Sequence, residues 1–344
     1  MERTIDLRSD TITLPSREML NTVLTARLGD SLRNEDETVR TLEKKAAEIF
    51  GKEEGLLLIS GTMANQVALA AQAGRGKIVF SPEVSHIARK ERVSTSLISG
   101  CAVVGFGNER GFPRPGEIED LILRCRDVFG GEAALVTLEN TVNASGGLIL
   151  PTEVIRETAD AARKHGLPLH LDGSRIFNAL VETGEDPKTL GDACTTLCFC
   201  LSKGLGAPLG SVLVGPRDVI ERAREWRNLL GGGMRQAGVF AAPGLYALEN
   251  NVERLRDDHE KAREFARIIS SSPRVKLLND PVETNIVLFS PVDYPVDKLW
   301  KKTKDRGVLL DFRRAPIIRA VTHLNVSREE VREAAGAIIS ILDE

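Results

Sequence analysis

Short apolar runs alternate with amphipathic stretches through most of the chain. Residues 36–50 carry apolar side chains near the helical period, which predicts a helix followed by Gly51 as a C-cap. The continuous apolar run over 55–59 is typical of a strand buried in a parallel sheet. Further strands, with helical stretches between most of them, are predicted over 77–80, 102–106, 133–138, 168–171, 196–201 and 211–214. This alternation predicts an α/β fold in which helices cover a mainly parallel sheet.

The pattern changes in the last third of the chain. Residues 235–272 indicate a long helix broken only at Pro243-Gly244, which we interpret as the connection to a second domain. Shorter elements follow, and Ser327 with Glu330 forms a capping box before the final helix. These elements are strands over 285–289 and 317–321 and helices over 296–306 and 328–342. We predict a large domain over 1–250 and a small C-terminal α+β domain over 251–344, because 344 residues exceed one typical core.

Charge and composition narrow the classes of function. Lys and Arg number 46 against 49 Asp and Glu, and both signs are scattered along the chain, so nothing favours binding to nucleic acid or to a membrane surface. No apolar run approaches the roughly 20 residues that span a bilayer, and residues 1–6 lead into no hydrophobic signal segment. We therefore expect a cytoplasmic protein.

The five cysteines are an odd number without framework spacing, so disulfides are not expected. Cys194, Cys198 and Cys200 lie close together, which leaves metal binding as an alternative. No histidine follows them at ligand spacing, and a free cysteine commonly behaves as a small buried apolar residue. We predict no metal site.

Three strand ends carry candidate chemistry. Ser60-Gly61-Thr62 joins a strand to a helix, where free backbone N–H groups can hold a phosphate, although such turns also serve only to reverse the chain tightly. A second strand ends at Asp172, whose carboxylate needs a partner if it is buried. That partner is either a protonated pyridine nitrogen, or Arg175 in an ion pair, or the N-terminus of the next helix. A third strand leads into Ser202-Lys203-Gly204, where desolvation favours a free amine for Schiff-base formation; the alternative is an exposed surface lysine.

Five segments together resemble the low-specificity threonine aldolases, which are pyridoxal-phosphate (PLP) enzymes of fold type I, the aspartate-aminotransferase-like fold. The resemblance runs in order over nearly the whole chain, as far as Arg319-Ala320-Val321-Thr322-His323. The segments are Asp6-Leu7-Arg8-Ser9-Asp10-Thr11, Ser60-Gly61-Thr62-Met63-Ala64-Asn65-Gln66, His170 through Phe177, Ser202-Lys203-Gly204-Leu205 and Leu230-Gly231-Gly232-Gly233-Met234-Arg235-Gln236-Ala237-Gly238.

The resemblance implies a role for particular residues. Lys203 would form the Schiff base with PLP, Asp172 would pair with the pyridine nitrogen, and His86 would lie against the ring. A capping or core role is the alternative for His86. The remaining implied contacts are Gly61, Thr62 and Arg175 with the cofactor, Ser9, Arg175 and Arg319 with the substrate carboxylate, and Arg235 with the cofactor phosphate of a neighbouring subunit in a homodimer or homotetramer. The glycines beside Arg235 have the alternative role of permitting a tight turn.

The chain departs from the family pattern at three positions. Arg33 replaces an active-site tyrosine, Val142 replaces a second histidine that contacts the substrate hydroxyl, and Asn228 stands where a lysine is usual. The chain therefore keeps the family's residues in the half of the site that would bind the cofactor. It differs from the family in the half that would bind the substrate side chain.

The predicted function is cleavage of an L-β-hydroxy-α-amino acid, such as threonine or allo-threonine, to glycine and an aldehyde. Without a histidine at Val142, either His86 or an ordered water would take the β-hydroxyl proton. Arg33 suggests an acidic substrate such as β-hydroxyaspartate, unless it pairs with Glu35 or Asp36. Racemisation, β-elimination or transamination on the same scaffold is the main alternative. A non-catalytic relative is another, although a binding scaffold has no need of an imine-forming lysine.

Overall fold

Thirteen strands and fifteen α-helices form the part of the chain that the computed structural model describes, residues 4–344, with only the backbone described at residue 314. The strands are β1 Ile5–Asp6, β2 Glu54–Leu58, β3 Lys77–Pro82, β4 Ala102–Phe106, β5 Glu132–Glu139, β6 Leu169–Asp172, β7 Thr196–Cys200, β8 Ser211–Gly215, β9 Val275–Leu277, β10 Ile286–Pro291, β11 Val308–Leu309, β12 Asp311–Arg314 and β13 Ile317–Val321. The helices are α1 Arg17–Asn21, α2 Glu37–Ile49, α3 Gly61–Gln72, α4 His86–Lys90, α5 Arg92–Ile98, α6 Glu117–Leu123, α7 Cys125–Phe129, α8 Thr152–Arg163, α9 Ile176–Thr183, α10 Pro187–Ala193, α11 Arg217–Leu229, α12 Gly238–Asn250, α13 Leu255–Ile269, α14 Val296–Asp305 and α15 Arg328–Asp343.

The central sheet has seven strands in the order β2-β8-β7-β6-β5-β3-β4. Strand β8 runs antiparallel to both of its neighbours, and the other pairs are parallel. The predicted α/β class and mainly parallel sheet are confirmed. Because the carboxyl ends of parallel strands meet at one edge, the residues that follow β3, β5, β6 and β7 gather there.

Three aromatic rings fix the strands and helix that lead into this edge. Phe177 of α9 and Phe199 of β7 meet edge to face with ring centroids 5.2 Å apart, and Phe50 packs against both at 5.7–5.8 Å. All three rings are buried. Helix α9 begins directly after the turn that follows β6. The packing of the three rings therefore fixes the carboxyl ends of β6 and β7 relative to each other.

The C-terminal part has a second core and an antiparallel sheet in the order β12-β13-β10-β9. Both bonds of the predicted capping box at Ser327 and Glu330 are present. Strand β1 pairs in parallel with β11, and Ile5 and Leu7 pack in this second core although the predicted large domain included them. Their apolar side chains are buried by the C-terminal elements, so the N-terminal strand contacts the smaller part. The division near residue 250 stays a proposal.

The predicted helix break at Pro243-Gly244 is wrong. Pro243 lies inside α12, and the helical stretch is interrupted instead between Asn250 and Leu255. There the side chain of Asn251 donates a hydrogen bond of 2.7 Å to the Leu205 carbonyl, so the turn is tied to the loop that carries Lys203. Among residues 4–344, no helix combines the length and the apolar character needed to cross a bilayer.

Candidate active site

A cleft of about 340 Å³ opens at the carboxyl edge of the central sheet. Strands β5, β6 and β7, the N-terminus of α3 and the start of α4 supply its walls. Six of the residues predicted from the sequence line it together: Gly61, Thr62, His86, Asp172, Arg175 and Lys203.

Asp172 is the last residue of β6 and is buried. Its Oδ2 accepts a hydrogen bond of 2.9 Å from the Asn65 amide, and its Oδ1 accepts from the backbone N–H and the hydroxyl of Ser174 at 3.1 and 2.7 Å. Burial alone would raise the pKa of Asp172, but the charge of Lys203 and these hydrogen bonds hold the pKa below its usual value. The carboxylate is therefore ionised, as a partner for a cationic ring nitrogen must be.

Arg175 pairs with Asp10, not with Asp172. Its Nε and Nη2 atoms each lie 2.7 Å from a carboxylate oxygen of Asp10, a bidentate arrangement in which both side chains are buried. Burial would raise the pKa of Asp10, but the Arg175 guanidinium outweighs it and holds the pKa well below the ordinary range. The alternative of an ion pair between Asp172 and Arg175 is therefore wrong, because Asp10 occupies the guanidinium.

Lys203 lies in the loop after β7 and is half-buried, so the alternative of a fully exposed surface lysine is wrong. Its carbonyl accepts a hydrogen bond of 2.9 Å from Gly206, whose φ of +80° gives the left-handed turn that glycine tolerates best. The positive charge of Lys203 acts on the carboxylates of both Asp172 and Asp10. Among residues 4–344 the Lys203 Nζ has no hydrogen-bonding partner, so this atom is available to a ligand in the cleft.

The turn into α3 provides a cradle for an anion. The Ser60 hydroxyl accepts a hydrogen bond of 3.1 Å from Met63 and caps a helix of 12 residues, at whose N-terminus Gly61 and Thr62 lie. A Cβ atom at Gly61 would come within 2.8 Å of the Cys200 sulfur, so glycine leaves space that a side chain would fill. Free N–H groups at a helix N-terminus, opposite a buried acid and an amine, fit the phosphate, ring nitrogen and aldehyde of PLP.

His86 is the first residue of α4, and Ser85 supplies the N-cap of that helix. The Nδ1 atom of His86 lies 2.6 Å from Oε1 of Glu91, and its backbone N–H donates to the Glu139 carboxylate. The hydrogen bond with Glu91 raises the pKa of His86, and the nearby charges of Glu91, Asp172 and Glu139 add to this against the opposing effect of burial. The alternative in which His86 only caps a helix is wrong, because Ser85 makes the capping hydrogen bond.

Glu139 is a functional candidate that the sequence analysis did not select. It ends β5 directly beside Asp172 in the sheet register and accepts backbone hydrogen bonds from His86 and Asn143. Burial, together with the charge of Asp172, raises the pKa of Glu139 to about 7. The rule that polar residues after an apolar strand gather at this edge would have found it. Asn65, Glu91 and Asp10 gave no comparable local signal.

Four predicted residues do not line the cleft directly. Ser9 and Arg319 contact residues that do: the Ser9 hydroxyl accepts from Thr11, and Arg319 donates to the Asn143 side chain at 2.9 Å. Arg33 and Arg235 are 75% and 64% exposed.

The partner of Arg33 and Arg235 is Asp30, at 3.8 and 2.9 Å respectively. The alternative pairing of Arg33 with Glu35 or Asp36 is therefore wrong. A 3-10 turn over Ser31–Arg33 places Asp30 beside Arg33, while Asp36 caps α2. Within one chain, neither guanidinium reaches the cleft.

The structure shows what surrounds two of the positions that depart from the family pattern, Val142 and Asn228. Val142 is buried and packs against Val84 and Leu148, so an apolar contact occupies this position. The Asn228 side chain accepts hydrogen bonds from Arg227.

All five cysteines are buried and free, and the described residues contain no group of three or more His, Cys, Asp or Glu side chains placed to hold a metal ion.

The fold and the cleft together define the class of protein: a PLP-dependent enzyme of fold type I, in which a lysine after one strand faces a buried acid at the end of its neighbour. The model of the family described as beta-eliminating lyase matches residues 6–292.

The chain is 39% identical over 332 residues to the low specificity L-threonine aldolase of Escherichia coli strain K12, covering 96% of this chain and 97% of that one. It is 36% identical over 337 residues to the low-specificity L-threonine aldolase 1 of Arabidopsis thaliana, covering 96% and 94%. The solved threonine aldolase of Leishmania major superposes with a TM-score of 0.84 at 16% identity over 98% of this chain and 99% of that one. The chain belongs to the low-specificity L-threonine aldolase family.

Proposed function

We propose that this enzyme cleaves L-threonine, L-allo-threonine and similar L-β-hydroxy-α-amino acids to glycine and an aldehyde. The observation that carries the proposal is that the ionised carboxylate of Asp172 and the side chain of Lys203 line the same cleft. The names of the Escherichia coli and Arabidopsis thaliana relatives support the substrate class.

PLP, when bound, supplies an electron sink that stabilises the electron pair released as the Cα–Cβ bond breaks. Lys203 would hold its aldehyde carbon, Asp172 its ring nitrogen, and Gly61 and Thr62 its phosphate. Each of these residues lines the cleft.

The substrate carboxylate would bind on the side of the cleft where Arg175 lies. Arg319 supplies a second positive charge there, and both guanidinium groups donate to the Asn143 side chain, at 3.4 and 2.9 Å. Burial, together with the charges of Arg175 and Arg313, lowers the pKa of Arg319 to about 10, so it remains a cation at neutral pH. Asp10 holds the Arg175 guanidinium in place through Nε and Nη2, and Nη1, which faces Asn143, would make this contact.

His86 would accept the β-hydroxyl proton during cleavage. Its Nδ1 atom is engaged by Glu91, so Nε2 is the nitrogen available to the substrate. A base must be deprotonated to work, and the pKa of His86 is raised. Activity should therefore increase as pH rises through the His86 pKa. Val142 offers no second imidazole, which leaves this role to His86 or to water.

The test is a substrate panel with the purified PLP-loaded enzyme. We expect glycine and acetaldehyde from L-threonine and L-allo-threonine, measured by amino-acid chromatography and an aldehyde-coupled assay. Pyruvate from L-serine, D-alanine from L-alanine, or keto acids formed at the expense of the amino group would support another PLP reaction on this scaffold. Production of those compounds without glycine would contradict the aldolase proposal.

A narrower proposal concerns acidic substrates and uses the same panel. Arg33 is exposed, so it would contact a substrate only across a contact with a neighbouring subunit. If it recognises β-hydroxyaspartate there, Arg33→Tyr should lower kcat/KM for that substrate by about 10-fold, the effect of losing roughly 1–2 kcal/mol from a charge-assisted contact, and leave threonine turnover unchanged. Equal turnover of β-hydroxyaspartate by both proteins would remove the acidic-substrate proposal.

We also propose a homodimer or homotetramer with the site near the subunit interface. Five leucines are 40–84% exposed on the segment 14–32, which adjoins Arg33: Leu14, Leu20, Leu24, Leu28 and Leu32. A depression of about 300 Å³ borders the same segment. Several exposed large apolar side chains on one segment favour a protein interface. Light scattering should therefore give a mass of at least twice 37.5 kDa at micromolar concentration, and a mass of one chain would contradict the proposal.

A further inference from the structure

Glu91 is a buried carboxylate between α4 and α5 that contacts His86 and Asn65, two residues of the cleft. Only 2% of it is exposed. Its Oε1 atom lies 2.6 Å from Nδ1 of His86 and accepts a hydrogen bond of 3.1 Å from the Asn65 amide, while its Oε2 atom accepts a bond of 2.8 Å from Gln66. Asn65 and Gln66 thus hold the Glu91 carboxylate by both of its oxygens, in addition to its contact with His86. A fixed carboxylate can fix both the orientation and the tautomer of an imidazole.

Asn65 joins this carboxylate to the one that would bind the cofactor. Its Nδ2 atom donates to Oδ2 of Asp172 at 2.9 Å and to Oε1 of Glu91 at 3.1 Å. The Oδ1 atom of Asn65 accepts from Nε2 of His170 at 3.1 Å. Burial lowers the pKa of His170 to about 4, so this histidine is neutral, and its one N–H points at Asn65 if Thr196 donates to the other nitrogen. This pattern leaves both Asn65 N–H bonds directed at the two carboxylates.

We propose that Glu91 is the positioning residue for His86 and that Asn65 couples this pair to Asp172; the inference rests on the proposed aldolase function. Glu91 accepts the Nδ1 proton, so that Nε2 is the nitrogen that exchanges a proton with the substrate. The Asn65 amide holds the His86 and Asp172 sides of the cleft in one hydrogen-bonded unit. His86 thereby keeps a defined orientation relative to the carboxylate that fixes the cofactor ring.

The charges that face His86 determine the direction of the expected effects. Glu91 contacts it from the start of α5, Asp172 faces it from β6 and Glu139 from β5, and all three favour the imidazolium form. Glu91→Gln removes one of these charges but keeps an oxygen that can accept the Nδ1 proton. The pKa of His86 should therefore fall in this variant. Glu91→Ala removes the acceptor as well, so the ring loses its orientation.

The first measurement needs no turnover. The chain has five histidines, so long-range ¹H–¹⁵N spectra of ¹⁵N-histidine-labelled protein, assigned with His86→Gln, report the tautomer and titration of each. We expect a neutral His86 protonated at Nδ1 in the wild type, and a titration that moves to lower pH in Glu91→Gln. An Nε2-protonated wild type would overturn the proposal without any variant, and so would an unchanged titration in folded Glu91→Gln.

The matched control is Glu182→Gln. Glu182 accepts a hydrogen bond of 2.9 Å from Nδ1 of His259, a pair of the same kind outside the cleft. This variant should change the titration of His259 and leave that of His86 unchanged. A shift of His86 in Glu182→Gln would show that any lost carboxylate perturbs His86, and would overturn the specific coupling.

Turnover supplies the second measurement. In Glu91→Gln the acid side of the kcat profile should move to lower pH with the His86 titration, while Glu91→Ala should lose about 10²-fold in kcat, the cost of a misplaced catalytic group. Parallel losses in both variants without a change of profile would overturn the positioning role. A wild type without aldolase activity would instead overturn the proposed function, and the histidine titrations would still decide whether Glu91 orients His86.

Discussion

Lys203→Ala is expected to abolish the visible absorption band of the PLP-loaded protein and to lower kcat for threonine by about 10³-fold or more, because the variant has no amine to bind the aldehyde or to carry protons. The fold should survive, since among the described residues the Lys203 Nζ makes no hydrogen bond that stabilises the loop. The loop is held by its backbone bonds instead. Absorption spectra, dialysis against buffer without cofactor and steady-state kinetics measure the effect.

Two companion variants make the Lys203 result specific. Lys203→Arg keeps the positive charge near Asp172 and Asp10 but offers no primary amine, so it should be as inactive as Lys203→Ala while being better folded at low salt. Lys188→Ala removes an exposed lysine on α10 and should behave as the wild type. PLP that stays attached to Lys203→Ala after borohydride reduction and dialysis would mean that another amine holds the cofactor, and the assignment of Lys203 would fail.

Asp172→Asn is expected to lower kcat by about 10²- to 10³-fold, because a neutral side chain cannot stabilise a positive ring nitrogen in a site sheltered from water. The same change should lower the free energy of unfolding by about 1–3 kcal/mol, since one Asn65 N–H bond then faces an amide N–H₂ in place of a carboxylate. Steady-state kinetics and thermal melts of the PLP-free proteins separate the two effects.

The pH dependence gives a further check on Asp172. The pKa of this carboxyl is lowered in the folded protein, so its stabilising charge is present at neutral pH and is lost only as pH falls below the ordinary carboxyl range.

The matched control for Asp172→Asn is Asp160→Asn, at an exposed position paired with Arg163, which should change neither kcat nor stability measurably. A fully active Asp172→Asn variant would contradict the role given to the ring-nitrogen partner.

The sequence allowed the strand-end residues to be predicted because their signal is local. Asp172 and Lys203 each follow a short apolar run, and Gly61 lies in a turn between such a run and a helix. Each of these patterns lies within about ten residues. Alternation of strands and helices predicted the α/β class for the same reason.

Contacts between segments that are distant in the sequence could not be predicted from local sequence patterns. Asp10 is 165 positions from Arg175, and Asn65 is 107 positions from Asp172. Which segments meet depends on the strand order and on the antiparallel insertion of β8, neither of which follows from the periodicity of any one stretch. The sequence therefore indicated that Asp172 needed a partner but not that Arg175 would be occupied by Asp10.

The pairing of β1 with β11 has a consequence for the order in which the protein can assemble during synthesis on the ribosome. Ile5 and Leu7 find their partners only after residue 309 has emerged, and at about 5–20 residues per second this takes of the order of half a minute. Asp10 follows directly and belongs to the ion pair with Arg175. The nascent chain can thus form most of its central sheet early, while the segment that carries the buried Asp10 carboxylate is secured only after residue 309 has emerged.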